Sequence, residues 1–179
     1  MSRTKDRQNL AYEALREEFG YTSPMRAPRV TSVVVSSGVG KKRQDPKAVE
    51  LIIDRLAKIT GQKPASRTAR VSIASFKLRQ GDTVGLQVTL RGARMFDFLD
   101  KLIHIALPRT RDFRGLNATA IDDMGNMTIG VKEHTIFPET GDEMLKDVFG
   151  LAVTIVTTAK SKPEAEAFLR FLGLPLKAA

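Results

Sequence analysis

Four segments of the chain alternate apolar and polar residues with a period of two, and this pattern narrows the available folds more than any other feature. "RTARVSIAS" alternates through Ala69, Val71 and Ile73, and "VGLQVTL" through Val84, Leu86, Val88 and Leu90. "NMTIGVK" does so through Met127, Ile129 and Val131, and "LAVTIVTT" through Leu151, Val153 and Ile155. Successive side chains of a strand point to opposite faces, so each segment offers one face to a core and one to water. Strands of a parallel sheet, buried on both faces, would read as continuous apolar runs instead. The expected sheet is therefore antiparallel, with helices on one face. A further β-branched segment behind Pro28, "RVTSVVVSS", predicts a strand over about 29–36.

Between these segments the period changes to that of a helix. Leu10, Ala14 and Leu15 in a charged context, stopped by Gly20, predict a peripheral helix over 4–19. Asp45-Pro46 supplies a cap and a first-turn proline, after which Val49, Ile52, Ile53 and Leu56 recur at helical spacing until Gly61. Met95, Phe98, Leu99, Leu102 and Ala106 form a third such run, ended by Pro108. A last helix opens near Pro163, buries Phe168, Leu169 and Leu172, and stops at Gly173. The expected order is α-β-α-β-β-α-β-β-β-α, an α+β fold. At 179 residues it is read as one domain, 1–179.

The charge speaks about partners. The chain carries a formal net charge of +9 with a pI near 10.0, and residues 1–62, 63–114 and 115–179 contribute +5, +7 and −3. A basic region set against an acidic last third suits one polyanion-binding side. Zero cysteines exclude disulfides, thiol catalysis and thiolate metal sites, and fit a reducing, cytoplasmic setting. No apolar run approaches the roughly 18 residues of a membrane span, so no membrane partner is expected. The start, "MSRTKDRQNL", lacks the apolar core of a secretory signal.

Enzymatic motifs fail on inspection. In "SSGVGKK" the first glycine of a phosphate-cradling loop is replaced by Val35, and its magnesium-holding hydroxyl by Lys42. What remains is a glycine turn followed by Lys41, Lys42 and Arg43. His104, inside a helical run, reads as partly buried and structural, and two histidines without cysteine make a weak metal site. Asp122-Asp123 precede Met124-Gly125-Asn126, a turn composition, and adjacent carboxylates rarely converge on one substrate atom. No enzyme, cofactor or metal is expected. Two basic segments stand out: "LPRTRDFRGL", where Arg109, Arg111 and Arg114 surround Asp112 and Phe113, and "SFKLRQGDTVG", a long basic hairpin loop between two expected strands. Arginine meets phosphate bidentately and stacks on bases, although Asp112 could engage one of the three internally.

Taken together, "SGVGK" (37–41), "TGQKP" (60–64), "SFKLRQGDTVG" (75–85), "VTLRG" (88–92), "PRTRDFRGL" (108–116), "IFPE" (136–139) and "VTTAK" (156–160) resemble a known family over nearly the whole length. It is the bacterial-type large-subunit ribosomal protein that binds 5S rRNA, the fifth in the usual numbering. The resemblance implies a cytoplasmic or organellar ribosome, and a place in the central protuberance beside large-subunit rRNA and neighbouring proteins. It also implies contact with peptidyl-site tRNA and a bridge to a small-subunit head protein. Carried over, the 5S rRNA surface comprises Ser36, Ser37, Gly38, Lys41, Gln62, Lys63, Thr89 and Arg91. The tRNA loop comprises Ser75, Lys77, Arg79, Gln80 and Gly81, with Lys77, Arg79 and Gln80 at its end and Gly81 and Gly85 shaping it. Arg109, Arg111 and Arg114 become RNA or bridge contacts. Two departures are present: Ser36-Ser37 where the family usually has Asn-Met, and Thr83 where a proline is common. A free RNA-binding or RNA-chaperone protein is the competing reading, separated from the first by whether the protein co-migrates with large subunits on a gradient.

Overall fold

In the computed structural model, which describes residues 3–40, 45–111, 113–140 and 148–177, five strands and four helices form an α+β fold. The helices are α1 (Arg3–Phe19), α2 (Pro46–Thr60), α3 (Gly92–Lys101) and α4 (Lys162–Leu172). The strands are β1 (Val30–Gly38), β2 (Ala65–Thr68), β3 (Thr83–Leu90), β4 (Met127–Val131) and β5 (Leu151–Thr157). They make one antiparallel sheet in the order β2-β3-β1-β5-β4. The described residues hold one strand fewer than expected. Between β4 and β5 they form short 3-10 turns at His134–Ile136 and Pro138–Thr140.

The period-two pattern works as anticipated in three strands. In β4 and β5 the buried apolar residues are Met127, Ile129, Val131 and Leu151, Val153, Ile155, and in β3 they are Leu86, Val88 and Leu90. It fails in the fourth. β2 ends at Thr68, all four of its residues are exposed, and Val71 and Ile73 lie beyond it at 67% and 41% exposure. As the outermost strand, β2 has a neighbour on one side only, and its register with β3 breaks between Arg67 and Thr68. Past that break the chain closes a turn of its own. Ile73 and Leu78 exchange backbone hydrogen bonds of 2.9 and 3.0 Å around the 3-10 turn Ala74–Phe76.

Two compact units divide the chain: Met1–Val33 with Leu90–Ile129 and Thr154–Ala179, and Val34–Thr89 with Gly130–Val153. In the first, α1 packs on α3 and α4. Its inner face is Thr4, Ala11 and Leu15, whereas Leu10 is 52% exposed and Ala14 also faces out. Polar ties complete the docking of α1. Thr4 donates to the Asp100 carboxylate from both its N–H and its hydroxyl, Arg7 Nη1 donates to the Leu172 carbonyl (3.0 Å), and Gln8 Oε1 accepts from the Val30 N–H (2.8 Å). Beyond Lys101, α3 continues as a π-helical turn, Leu102–Ala106. Leu102, Ile103, Ala106 and Leu107 are buried, whereas His104 lies about 180° around the helix from the stripe of Met95, Leu99, Leu102 and Ala106 and is exposed rather than partly buried.

In the second unit α2 starts and stops where its sequence dictates. Asp45 caps the N-terminus by accepting from the Lys47 and Ala48 N–H groups, and Gly61 closes the C-terminus at φ 66°. Ile52, Leu56 and Ile59 are its buried stripe.

One turn of the first unit is unusually intolerant. Gly125 has φ +79°, and a Cβ there would lie 2.9 Å from the carbonyl oxygen of Ala159. The Gly125 carbonyl already accepts the Thr157 hydroxyl at 2.6 Å. Gly125→Ala is therefore expected to lower stability by about 2 kcal/mol or more, read as a lower urea midpoint with an unchanged slope.

A candidate nucleic-acid interface

Within the second unit, β1 and β3 each set polar residues between their buried ones. Gln87 and Thr89 alternate with buried Leu86, Val88 and Leu90 on β3, and Ser36 alternates with buried Val35 and Ser37 on β1. β2 adds Arg67. Its Cα stands opposite Gly85, and Ala65 stands opposite Gln87, so Arg67 and Gln87 share a face. The Arg67 Nε donates to Gln87 Oε1 at 2.6 Å. Extending that register two residues brings Lys63 level with Thr89 on the same face. Gln62, exposed beside Lys63, follows the Gly61 cap, and its carbonyl accepts the Thr60 hydroxyl at 3.0 Å. Neutral donors and acceptors thus form a flat patch with Lys63 and Arg67 along one edge.

The end of β1 lies beside β3: the Val39 N–H donates to the Val84 carbonyl at 3.0 Å, and a Cβ on Gly85 would sit 3.4 Å from the Ser37 carbonyl oxygen. Adjacent Ser36 and Ser37 play different parts. Ser36 is half-buried on the open face. Ser37 is 4% exposed, and its hydroxyl donates to the Gly150 carbonyl at 2.8 Å, so it braces the patch from behind. Gly38 is exposed at the end of β1, and Lys41 lies outside the described residues. Arg91 is an exposed residue of the first unit, at the N-cap of α3. Sequence reasoning did not single out Gln87 and Arg67. The alternation of "VGLQVTL" held the signal for Gln87, since it puts that residue on the face of Thr89.

The connection from β2 to β3, residues 69–82, is not the extended hairpin tip expected over 75–85. It contains two turns. Ser75 and Lys77 belong to the outer one, where Lys77 takes φ 49° and its N–H donates to the Ala74 carbonyl at 2.9 Å. Arg79, Gln80 and Gly81 belong to a second turn next to β3: the Asp82 N–H donates to the Arg79 carbonyl (3.2 Å), with Gly81 at φ +93°. The Gln80 N–H is held by the Ser72 hydroxyl at 2.9 Å, and the Gly81 N–H by the Ala69 carbonyl at 3.0 Å. Arg79 and Gln80 therefore sit near the base of the connection rather than at its end, and Gly85 lies inside β3.

In the first unit, Arg109, Arg111 and Arg114 are all exposed, while Asp112 lies outside the described residues. The chain past Gly173 holds this segment in place. The Leu116 N–H donates to the Pro175 carbonyl (2.8 Å) and the Lys177 N–H to the Leu116 carbonyl (2.9 Å). Gly115, at φ +93°, passes so close that a Cβ would lie 3.1 Å from the Pro175 oxygen.

Two titratable groups, Asp122 and His134, have structural surroundings. Asp122 accepts the Asn126 N–H at 2.6 Å and the Asn126 side-chain amide at 3.1 Å. These bonds, the backbone one foremost, hold its carboxyl below the usual aspartate range. It organises a turn, as its sequence setting suggested. His134 is fully buried, stacked on Phe149 at 4.2 Å, with Nε2 3.3 Å from Arg55 Nη1. Among the described residues, no three histidine or acidic side chains gather in a metal-holding cluster.

Two family models match the chain. The one for the C-terminus of the ribosomal L5 family covers residues 83–176, and the one described as ribosomal protein L5 covers residues 23–79. The chain is 50% identical over 179 residues to the large ribosomal subunit protein uL5 of Rubrobacter xylanophilus, covering 99% of each. Proteins of the same name from Anaeromyxobacter sp. (strain K) and Flavobacterium johnsoniae are 46% identical over 177 residues and 49% identical over 164. These alignments cover 98% of both chains in the first case, and 92% of this chain and 90% of the other in the second.

Proposed function

Because the chain belongs to the L5 family of large-subunit ribosomal proteins, we propose that it anchors 5S rRNA in the central protuberance. It is a component of the large subunit and not an enzyme. The observation that carries the 5S rRNA reading is the open polar patch of Ser36, Gln62, Gln87 and Thr89 with Lys63 and Arg67 at its edge. RNA helices display hydroxyls and base edges in a wide, shallow minor groove, and short neutral side chains on a flat sheet fit such a surface. Cations along the edge meet phosphates and set orientation. Ser36 contributes a hydroxyl where the family usually has the longer asparagine, and Gly38, Lys41 and Arg91 extend the contact.

Gln62→Ala and Thr89→Ala should each weaken 5S rRNA binding about fivefold, roughly the worth of one hydrogen bond. The dependence on salt should stay the same, because a neutral group releases no counterion. A changed salt slope with unchanged affinity would count against this assignment.

The connection 69–82 takes the role of the tRNA contact, through Ser75, Lys77, Arg79, Gln80 and Gly81. Arg109, Arg111 and Arg114 supply further RNA contact or the bridge to the small-subunit head protein. Replacing Lys77, Arg79 and Gln80 together with alanine is expected to leave binding to purified 5S rRNA near wild type. On ribosomes carrying the variant, retention of tRNA in the peptidyl site should fall. Lost 5S rRNA binding with normal tRNA retention would assign the loop to the other RNA.

A further inference from the structure

The connection from β2 to β3 closes on itself twice. The inner closure pairs the Ala69 N–H with the Asp82 carbonyl (2.8 Å) and the Gly81 N–H with the Ala69 carbonyl (3.0 Å). The outer one is the exchange between Ile73 and Leu78. Arg79 and Gln80 lie between the two closures on the returning side. Among the described residues neither of their N–H groups has a backbone acceptor, and each is held by a side chain instead. Ser72 Oγ accepts from the Gln80 N–H at 2.9 Å, and Asp82 Oδ2 accepts from the Arg79 N–H at 3.0 Å. One hold comes from across the connection and the other from the turn itself, so removing either frees one of two adjacent peptide groups.

Charge alone argues against Asp82 on a surface that meets phosphate. A cavity of about 540 Å³ is lined by Lys77 and Arg79 together with Glu50 and Asp82, among others. A carboxylate there repels the same polyanion that the two cations attract. The two carboxylates differ in what else they do. Glu50, exposed on α2, makes no hydrogen bond to the connection among the described residues, whereas Asp82 fixes the main chain of Arg79.

We propose that Ser72 and Asp82 are positioning residues for tRNA: acting through Arg79 and Gln80, they hold the main chain of both so that the two side chains meet the ligand together. This role rests on the tRNA reading of residues 69–82; the hold on the main chain does not. On ribosomes carrying Ser72→Ala, tRNA should leave the peptidyl site about three- to fivefold faster, the worth of one exposed hydrogen bond. Ser72→Thr keeps the hydroxyl and Asp82→Asn keeps an acceptor oxygen, and neither should release tRNA more than about twofold faster than wild type. The sign at position 82 separates geometry from charge. Loss of a carboxylate beside Lys77 and Arg79 should by charge alone slow the release of a polyanion, and for the control Glu50→Gln release is expected to be unchanged or slower. Asp82→Ala should instead speed release, by at least about twofold, because the lost repulsion offsets only part of the lost hydrogen bond.

In the free protein, amide exchange followed by NMR should quicken at least about threefold at Gln80 in Ser72→Ala and at Arg79 in Asp82→Ala, with Ile73 and Leu78 unchanged. Each variant should bind purified 5S rRNA within about twofold of wild type and melt within about 2 °C of it, since neither Ser72 nor Asp82 is buried. Unchanged or slower release from Asp82→Ala overturns the proposal, as does release from Ser72→Ala no faster than wild type. So does a Ser72→Thr variant as impaired as Ser72→Ala, since the hydroxyl would then carry no part of the effect. Unchanged amide exchange overturns it as well, because the main chain would not depend on either side chain. The triple alanine variant of Lys77, Arg79 and Gln80 tells the two readings apart. If it holds tRNA normally, the tRNA reading fails and takes the proposal with it; if it releases tRNA while Ser72→Ala and Asp82→Ala hold it, only the positioning fails.

Discussion

Raising monovalent salt from roughly 50 to 200 mM should cost the protein about a thousandfold in affinity for 5S rRNA, the fall typical of proteins that make six or more phosphate contacts. The expectation follows from charge and composition together. The net charge is +9, concentrated in residues 1–114, whereas aromatic residues are 6% of the chain, too few for a base-stacking platform. Stacking and neutral hydrogen bonds survive added salt, but phosphate neutralisation releases counterions and does not. Filter binding or fluorescence titration at four salt concentrations would read the slope. A decline of less than about tenfold over that range would mean that the neutral patch of Gln62, Gln87 and Thr89 supplies most of the affinity.

Phe168→Ala should be the most damaging single truncation in the first unit, lowering stability by about 3–5 kcal/mol. Phe168 is 0% exposed and lies on α4 between buried Ala165 and Leu172. Its loss would leave a void beneath a helix that also holds Tyr21 through Glu164 and Arg7 through the Leu172 carbonyl. Against a total stability of about 5–15 kcal/mol, the variant should stay folded in the cold but melt roughly 10 °C or more below wild type. A shift of only one or two degrees would show that neighbouring side chains collapse into the space.

Much of the architecture was legible because local signals agreed with global ones. Asp45-Pro46, the stripe through Ile52 and Leu56, and Gly61 each argue for the same helix, and α2 has those boundaries. The strand expected through Ala69, Val71 and Ile73 failed because alternation records only that one face could be buried. Beyond Thr68 no layer covers Val71 or Ile73, and the backbone bonds instead within its own turn. His104 was misjudged for a different reason: helical periodicity itself puts it opposite the stripe of Met95, Leu99, Leu102 and Ala106, and the expectation counted only that it lay inside the run. In the candidate interface, Thr89 and Ser36 could be placed on the open face by parity alone. The separation of Ser36 from Ser37 could be placed the same way, but the bond from Ser37 to Gly150 depends on a strand distant in sequence. The Arg67 to Gln87 pair likewise required the register between β2 and β3.

The pairing of Leu116 with Pro175 and Lys177 has a consequence for the order of events during synthesis. A chain emerging from a ribosome presents Arg109, Arg111 and Arg114 long before the residues that pin them have been made. Until α4 and the stretch beyond Gly173 have followed, Thr110 can bond back to Ala106 and Leu107, but Leu116 lacks the backbone partners that hold the far end of the segment. The end of this arginine-bearing segment is thus fixed late in the protein's own translation.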